Sequence, residues 1–147
     1  MIIIPKKRKN KYNRSKAVYN EIKFDSRLER NQYKVFLEEY SDLVSIIELQ
    51  PSYKLMEGFT YFDIERNKVR KFGTMKYTPD FKIKIKGLDK LVIWETKGMI
   101  TTDFNMRKKI WYNLYGKEFY YIQSSSMKHQ RLVLDELQER IKNKNKQ

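Results

Sequence analysis

Residues 77–98 read YTPDFKIKIKGLDKLVIWETKG, and this stretch predicts two β-strands joined by a turn. In the first strand, Tyr77–Ile85, apolar side chains alternate with lysines, which is typical of a strand with one polar face or edge. Gly87–Asp89 supplies the turn, and the second strand, Leu91–Thr96, is nearly all apolar apart from one glutamate. The pattern therefore predicts a β-hairpin.

The position of the turn sets the register of this hairpin and places Asp80 opposite Glu95. Directly opposed residues have Cβ atoms about 4.5–5.5 Å apart. Because side chains alternate along a strand, Lys97 shares the side of Glu95 and Thr96 points away. Two carboxylates and an amine are thus expected to converge at one end of the hairpin.

The flanking segments predict helices and further strands around the hairpin. The expected elements are a helix over Phe24–Tyr40, a strand over Val44–Gln50, a helix from Thr101 or Thr102 to Tyr115, a strand over Phe119–Gln123, and a C-terminal helix carrying Leu134, Leu137 and Ile141. This order predicts an α/β fold with a mixed sheet flanked by helices. Residues 52–76 fit either a hairpin or a long loop. Residues 1–23 are interpreted as a flexible basic arm, and residues 24–147 as one domain.

The composition limits the chemistry and indicates the partner. The chain has 147 residues with 32 Lys+Arg against 18 Asp+Glu, a net charge of +14, and it has no Cys and one His. Disulfides, cysteine zinc sites, thiol nucleophiles and His-pair metal sites are excluded, which leaves carboxylates, lysines and a divalent ion with oxygen ligands. No targeting or membrane-spanning segment is apparent, so a cytoplasmic protein without a membrane partner is expected. The charge favours nucleic acid over an anionic membrane surface.

The arm concentrates much of this charge. It is interpreted as a phosphate-contacting segment that orders on DNA, and a solubilising tail is the alternative. Its proposed DNA-binding residues are Lys6, Lys7, Arg8, Lys9, Lys11, Arg14 and Lys16.

Three further polar residues are candidates for the same site. At about 100° per residue, Glu29 falls between Phe36 and Tyr40 on the apolar stripe of the first helix, although it also fits a capping box with Ser26. Lys108 falls on the inward face of the later helix, where it either snorkels outward or reaches a phosphate. Gln50, which ends a strand, is a weaker candidate.

Opposed carboxylates repel one another unless a cation lies between them, and Mg²⁺ is typically held by one or two carboxylates with water and phosphate oxygens. A neighbouring lysine can orient a water or stabilise negative charge on a phosphate. The alternative is that Thr78–Asp80 enters a loop and that Glu95 and Lys97 form a charged strand end.

Together these residues resemble the PD-(D/E)XK nuclease superfamily. The resemblance rests on Glu29 in the first helix, Thr-Pro-Asp80 on one strand, Glu95-Thr-Lys97-Gly on the next, and the order helix, three strands, helix, strand. It covers about residues 24–123 and is closest to small phage-encoded nucleases, some of which are described as Holliday-junction resolvases. The resemblance implies a restriction-endonuclease-like core.

The resemblance also implies roles for the residues. Asp80, Glu95 and the Thr96 carbonyl would hold Mg²⁺ or Mn²⁺, with Glu29 completing the acidic set. Lys97 would position the attacking water, and Lys108 would contact the scissile phosphate region. Residues 52–76 depart from the minimal core and would contact DNA or a dimer partner, with Arg70, Lys71 and Lys76 on this segment.

The implied function is a metal-dependent DNA endonuclease acting as a homodimer on branched DNA in phage recombination or DNA processing, in the host cytoplasm if phage-encoded. Non-catalytic DNA binding is one alternative, and a transposon-end or restriction-type nuclease is another.

Overall fold

The computed structural model describes residues 2–4 and 17–146, which form ten strands and three helices. In chain order the elements are β1 (Val18–Tyr19), β2 (Ile22–Lys23), α1 (Arg27–Glu39), β3 (Val44–Leu49), β4 (Tyr53–Met56), β5 (Phe59–Asp63), β6 (Lys68–Phe72), β7 (Met75–Tyr77), β8 (Phe81–Ile85), β9 (Val92–Thr96), α2 (Thr102–Tyr115), β10 (Tyr120–Ser124) and α3 (Met127–Asn145). The predicted α/β class, with a mixed sheet and a C-terminal helix, is confirmed.

The main sheet has four strands in the order β10-β9-β8-β3. β8 is antiparallel to both β9 and β3, whereas β10 is parallel to β9. The parallel pair requires a crossover, which α2 supplies. The predicted hairpin is therefore the centre of the sheet.

Helices pack on both faces of this sheet, and the side chains of β9 contribute to a separate core on each face. Its Trp94 joins a core with Phe36 of α1 and Leu134 of α3, whereas Ile93 joins a second core with Trp111 of α2. Every residue of β9 is buried, as expected for a strand covered on both faces. β9 therefore carries its polar residues into the protein interior.

Residues 52–76, which fitted either a hairpin or a loop, form a ribbon of nested antiparallel strands. β4 pairs with β7 at the base, and β5 pairs with β6 at the outer end. The base contacts α2, while the outer β5–β6 pair is largely exposed. The ribbon is therefore an excursion between two neighbouring strands of the main sheet, β3 and β8.

The strand predicted as Tyr77–Ile85 is wrong in its extent, because it is two strands. β7 ends at Tyr77 and β8 begins at Phe81. Pro79 lacks a backbone N–H and restricts the residue before it, so regular pairing stops there. The break places Asp80 immediately before β8.

The first helix begins at Arg27 rather than at the predicted Phe24. Ser26 caps it by accepting a hydrogen bond from the Glu29 N–H at 3.1 Å. Phe24 instead packs in the core together with Ala17, from the segment interpreted as part of the arm. In addition, Leu49 donates a backbone hydrogen bond of 2.9 Å to Ile3, so residues near the N-terminus lie along the β3 edge.

Candidate active site

Asp80 is held by backbone and side-chain hydrogen bonds from two neighbouring segments. The Thr96 N–H and hydroxyl each donate to Asp80 Oδ2 at 2.7 Å. The Gln50 N–H donates to the Asp80 carbonyl at 2.8 Å. The observed register pairs Phe81 with Trp94, so the next position along places Asp80 beside Glu95, as the turn predicts.

Glu95 is 6% exposed and is fixed by tyrosines. The Tyr77 hydroxyl donates to Glu95 Oε2 at 2.6 Å and lies 3.0 Å from the Tyr121 hydroxyl. The carboxyl groups of Glu95 and Asp80 are within hydrogen-bonding reach of each other. The structure thus brings together the two carboxyls that the sequence pairs.

Glu29 faces the protein interior and is 2% exposed. Its Oε1 accepts a hydrogen bond of 3.3 Å from the Gln50 side chain, which also donates to Asp25 at 2.9 Å. Gln50 has φ 48°, a left-handed conformation that is uncommon for residues other than glycine. This conformation lets Gln50 bond to Asp80 through its backbone and to Glu29 through its side chain.

Burial makes all three carboxyls harder to ionise. Desolvation raises the pKa of Glu29 and of Glu95 to about 9, and in each case the nearby Asp80 is the second cause. Burial also raises the pKa of Asp80, against the lowering effect of its hydrogen bonds from Thr96. Asp80 therefore interacts electrostatically with both glutamates, and a cation bound among the three carboxyls would stabilise their ionised forms.

Lys97 is the cation that follows Glu95 on the same strand face. Its ammonium lies 4.8 Å from the centroid of the Phe104 ring, and its charge lowers the pKa of Glu95. The Lys97 N–H donates to the Ser124 carbonyl at 3.0 Å, which extends the pairing of β9 with β10. The backbone therefore holds Lys97 next to the carboxyls.

A pocket of about 350 Å³ opens beside Glu95 and Lys97. Its wall includes Tyr77 and Phe104 together with two further basic residues, Lys76 and Arg107. Asp103 also contributes and pairs with Arg107 at 3.0 Å. The pocket is therefore a polar recess in which basic side chains lie beside Glu95.

Lys108 lies on the β10 side of the site. Its amine donates to Gln123 at 3.1 Å and lies 4.8 Å from the centroid of the Tyr121 ring. Gln123 is the register partner of Glu95, so one residue separates Lys108 from the acidic cluster. Its predicted contact with phosphate remains a prediction.

The oxygen donors suit a hard divalent cation, because Mg²⁺ typically takes one or two carboxylates and completes its shell with water. Within residues 2–4 and 17–146, no three His, Asp or Glu side chains already form a metal-binding group. The Asp80–Glu95 pair is the part of the predicted ligand set that is brought together most closely. Thr96 orients Asp80 through its N–H and its hydroxyl. Metal binding by the Thr96 carbonyl stays a prediction.

Apart from Lys108 on α2, the predicted DNA-binding residues fall in two regions. Arg70 and Lys71 lie on β6 of the ribbon, where Arg70 is 3.4 Å from Asp63 and Lys71 is exposed. The remaining ones lie outside the described residues: Lys6, Lys7, Arg8, Lys9, Lys11, Arg14 and Lys16.

Sequence reasoning did not identify Tyr77, Tyr121 and Gln123 as parts of the site. Tyr77 lies three residues before Asp80, so its proximity was a usable signal. The other two reach the site through the parallel β9–β10 register, which pairs residues 28 positions apart (123 − 95) and leaves no local pattern.

The fold and site define an α/β protein with a mixed sheet and a buried cluster of carboxyls at one end of its central hairpin. Residues 9–131 match the family described as protein of unknown function (DUF1064), and the chain belongs to this family. Comparisons with curated proteins and with solved structures give no significant match. In the described part of the chain, no helix has the length and apolar character needed to cross a membrane.

Proposed function

We propose that the protein is a divalent-metal-dependent DNA endonuclease that acts on branched DNA. The observation that carries this proposal is the juxtaposition of the Asp80 and Glu95 carboxyls, with Lys97 directly beside them. Raised pKa values and a specific charged partner in a recess are characteristic of catalytic sites. The proposed catalytic set is Glu29, Asp80, Glu95, Lys97 and Lys108.

The element order supports a restriction-endonuclease-like core. When the ribbon is set aside, α1, β3, β8, β9, α2 and β10 follow one another as helix, three strands, helix and strand. This is the order on which the resemblance to PD-(D/E)XK nucleases rests. The ribbon is then an insertion within this core.

The proposed cofactor is Mg²⁺ or Mn²⁺, held by Asp80 and Glu95 with the Thr96 carbonyl, and by Glu29 directly or through water. When bound, such a cation supplies Lewis-acid stabilisation of charge on the phosphate. Lys97 positions the water that attacks phosphorus, while the bond to the 3′ oxygen breaks. The products are a 5′-phosphate and a 3′-hydroxyl.

The charge distribution supports DNA as the partner. The net charge of +14 attracts a polyanion, and Lys76 and Arg107 line the recess beside the carboxyls. A homodimer is proposed because cutting two strands at matched positions suits a two-fold symmetric assembly.

Two variants test the mechanism. Asp80→Ala and Lys97→Ala should each lower the cleavage rate by at least about 100-fold, as expected when a metal ligand or general acid–base group is lost. Binding to the same DNA in EDTA should change by less than about threefold, because most binding energy comes from phosphate contacts elsewhere. Lys86→Ala is the matched control, since Lys86 is exposed and lies beyond β8. Cleavage at the control rate by either purified variant would contradict the mechanism.

The substrate is tested with a panel of four-way junction, fork, flap and duplex at equal concentration with Mn²⁺. Preferential cleavage of the junction is expected. Preference for the duplex would overturn the choice of branched DNA and leave the nuclease proposal standing.

A non-catalytic DNA-binding protein is the second candidate. The raised pKa values of Glu29 and Glu95 favour it, because protonated carboxyls pack in a protein interior without any cation. Incubation with Mg²⁺ and with branched, nicked and linear DNA separates the two. Only the nuclease yields products that EDTA suppresses.

A further inference from the structure

The outer end of the ribbon exposes apolar side chains, most strongly on the face that carries Phe62 and Val69. Phe62 and Val69 are register partners and therefore share a face, and they are 55% and 68% exposed. Ile64 follows at the tip and is 84% exposed. Exposed apolar side chains clustered in this way mark an interaction surface more often than chance exposure does.

On the opposite face of the same strands, the side chains contact one another. Phe72 stacks on Phe59 and on Tyr61, each pair with ring centroids 5.2 Å apart. Asp63 accepts hydrogen bonds from Arg66 and from Arg70 on that part of the ribbon. The three rings of that face remain 37–46% exposed but stack on one another, so the face that carries Phe62 and Val69 is the more exposed of the two.

Charge indicates the kind of partner. Thr60 and Lys71 form the next register pair on the same face as Phe62, and Lys71 is exposed. Among residues 17–146, no acidic side chain forms an ion pair with Lys71. A second copy that paired through this face would bring its own Lys71 to the same patch, so the proposed homodimer is expected to use another surface. An anionic partner with apolar surfaces to contact suits the face better, and nucleic acid has both phosphates and base faces.

The ribbon begins and ends at the candidate site. Gln50, just before it, bonds to Glu29 and Asp80, and Tyr77, its last paired residue, bonds to Glu95. The five-residue strands β5 and β6 extend about 17 Å, and a two-stranded ribbon fits the major groove of DNA. DNA held at the carboxyls, as proposed above, would therefore lie next to the base of the ribbon.

We propose that Phe62, Val69 and Ile64 form a wedge that contacts unstacked bases of the DNA held at the site, with Lys71 at the neighbouring phosphates. This inference takes DNA as the ligand from the proposed function. It adds a mechanism by which branched DNA is selected. Unstacking costs least where bases are already unpaired, so a wedge favours branch points over duplex.

The test uses the double variant Phe62→Ser/Val69→Ser in the full-length protein. Both side chains are exposed, so the fold should be retained, and a thermal melt checks this. Leu132→Ser on α3 is the matched control, since Leu132 is 56% exposed. The probes are a four-way junction with 2-aminopurine at the branch point and a duplex of the same sequence, both in EDTA so that nothing is cleaved.

The wild-type protein and the Leu132→Ser control should raise 2-aminopurine fluorescence on the junction, because the reporter base leaves its stack. The double variant should lose this increase and bind the junction at least about fivefold more weakly, with less than about a twofold change on duplex. Wild-type fluorescence and affinity in the double variant would overturn the wedge. A dimer that becomes monomeric in the double variant, with unchanged junction affinity, would also overturn it in favour of self-association.

Failure of the wedge is distinguishable from failure of the nuclease proposal. The fluorescence test requires no cleavage. Absence of metal-dependent cleavage by the wild-type protein would remove the nuclease and leave the DNA-binding wedge intact.

Discussion

At the scale of single residues, burial of Glu95 makes the stability of the protein depend on pH. Its pKa rises from an ordinary 4.5 to about 9 in the folded state. Between these values the folded protein retains a proton that the unfolded chain releases, so the contribution to stability is complete below pH 4.5 and is lost as the pH rises towards 9.

Glu95→Gln should therefore stabilise the protein at pH 8 and have little effect at pH 4.5. A gain of at least about 1 kcal/mol is expected at pH 8, because one pKa unit corresponds to about 1.4 kcal/mol. Thermal or urea unfolding in EDTA at both pH values measures the change. The exposed Glu136→Gln serves as control, and an equal effect of Glu95→Gln at both pH values would contradict the assignment.

The same residue predicts a response to metal. Added MgCl₂ should raise the melting temperature of the wild-type protein, because a ligand that binds only the folded state stabilises it. Glu95→Gln should abolish this increase, since a neutral amide is a poor substitute for a carboxylate ligand. NaCl at matched ionic strength controls for general salt effects, and an undiminished Mg²⁺ response in the variant would contradict a role in binding.

At the scale of elements, a buried polar network joins α1, β9, β10 and α3. The Trp94 indole N–H donates to Gln32 at 3.2 Å and to Ser124 at 2.8 Å. Gln130 of α3 donates to the Gln32 carbonyl at 2.9 Å. All of these side chains are fully buried, so each hydrogen bond substitutes for one lost to water.

Gln32→Leu should destabilise the protein by about 1–3 kcal/mol, because it leaves buried donors with fewer acceptors. The free energy of unfolding in urea measures the loss. Gln138→Leu on α3 is the control, since Gln138 is partly exposed and lies outside this network. A loss equal to that of the control would show that the network adds nothing to stability.

Local sequence patterns predicted most of the helices and strands and the Asp80–Glu95 pair. They did not predict contacts between residues that are distant in sequence. Alternation and the Gly87 turn fixed the register of Asp80 with Glu95, because a hairpin joins residues close in sequence. No local pattern marks Gln32 as part of a buried network, because its partners lie 62–98 residues away. The outer β5–β6 pair was equally hard to predict, since its Phe59, Tyr61 and Phe72 rings stack on one another instead of entering the core.

At the scale of the whole molecule, electrostatics should govern binding to DNA. Neutralising the seven predicted arm cations together should weaken the dependence of DNA affinity on salt. The slope of the logarithm of the association constant against the logarithm of salt concentration should fall in magnitude by up to about six, because each phosphate contact contributes about 0.9. Glutamine at all seven positions keeps the backbone and the contact of Ile3 with β3. Affinity measured across a salt series tests this, and an unchanged slope would favour the solubilising-tail alternative.

The Gln50–Asp80 backbone hydrogen bond closes the neck of the ribbon, so the two ends of the inserted segment meet within one bond of 2.8 Å. The β5–β6 end begins just after Gly58, where an added Cβ would lie 2.8 Å from the Phe72 carbonyl. This end lies outside the hydrogen-bonded neck. A change confined to the β5–β6 end therefore leaves the register of Asp80 with Glu95 unaltered. Under the proposed function, substitutions at that end would change which DNA is selected without changing the carboxyl site.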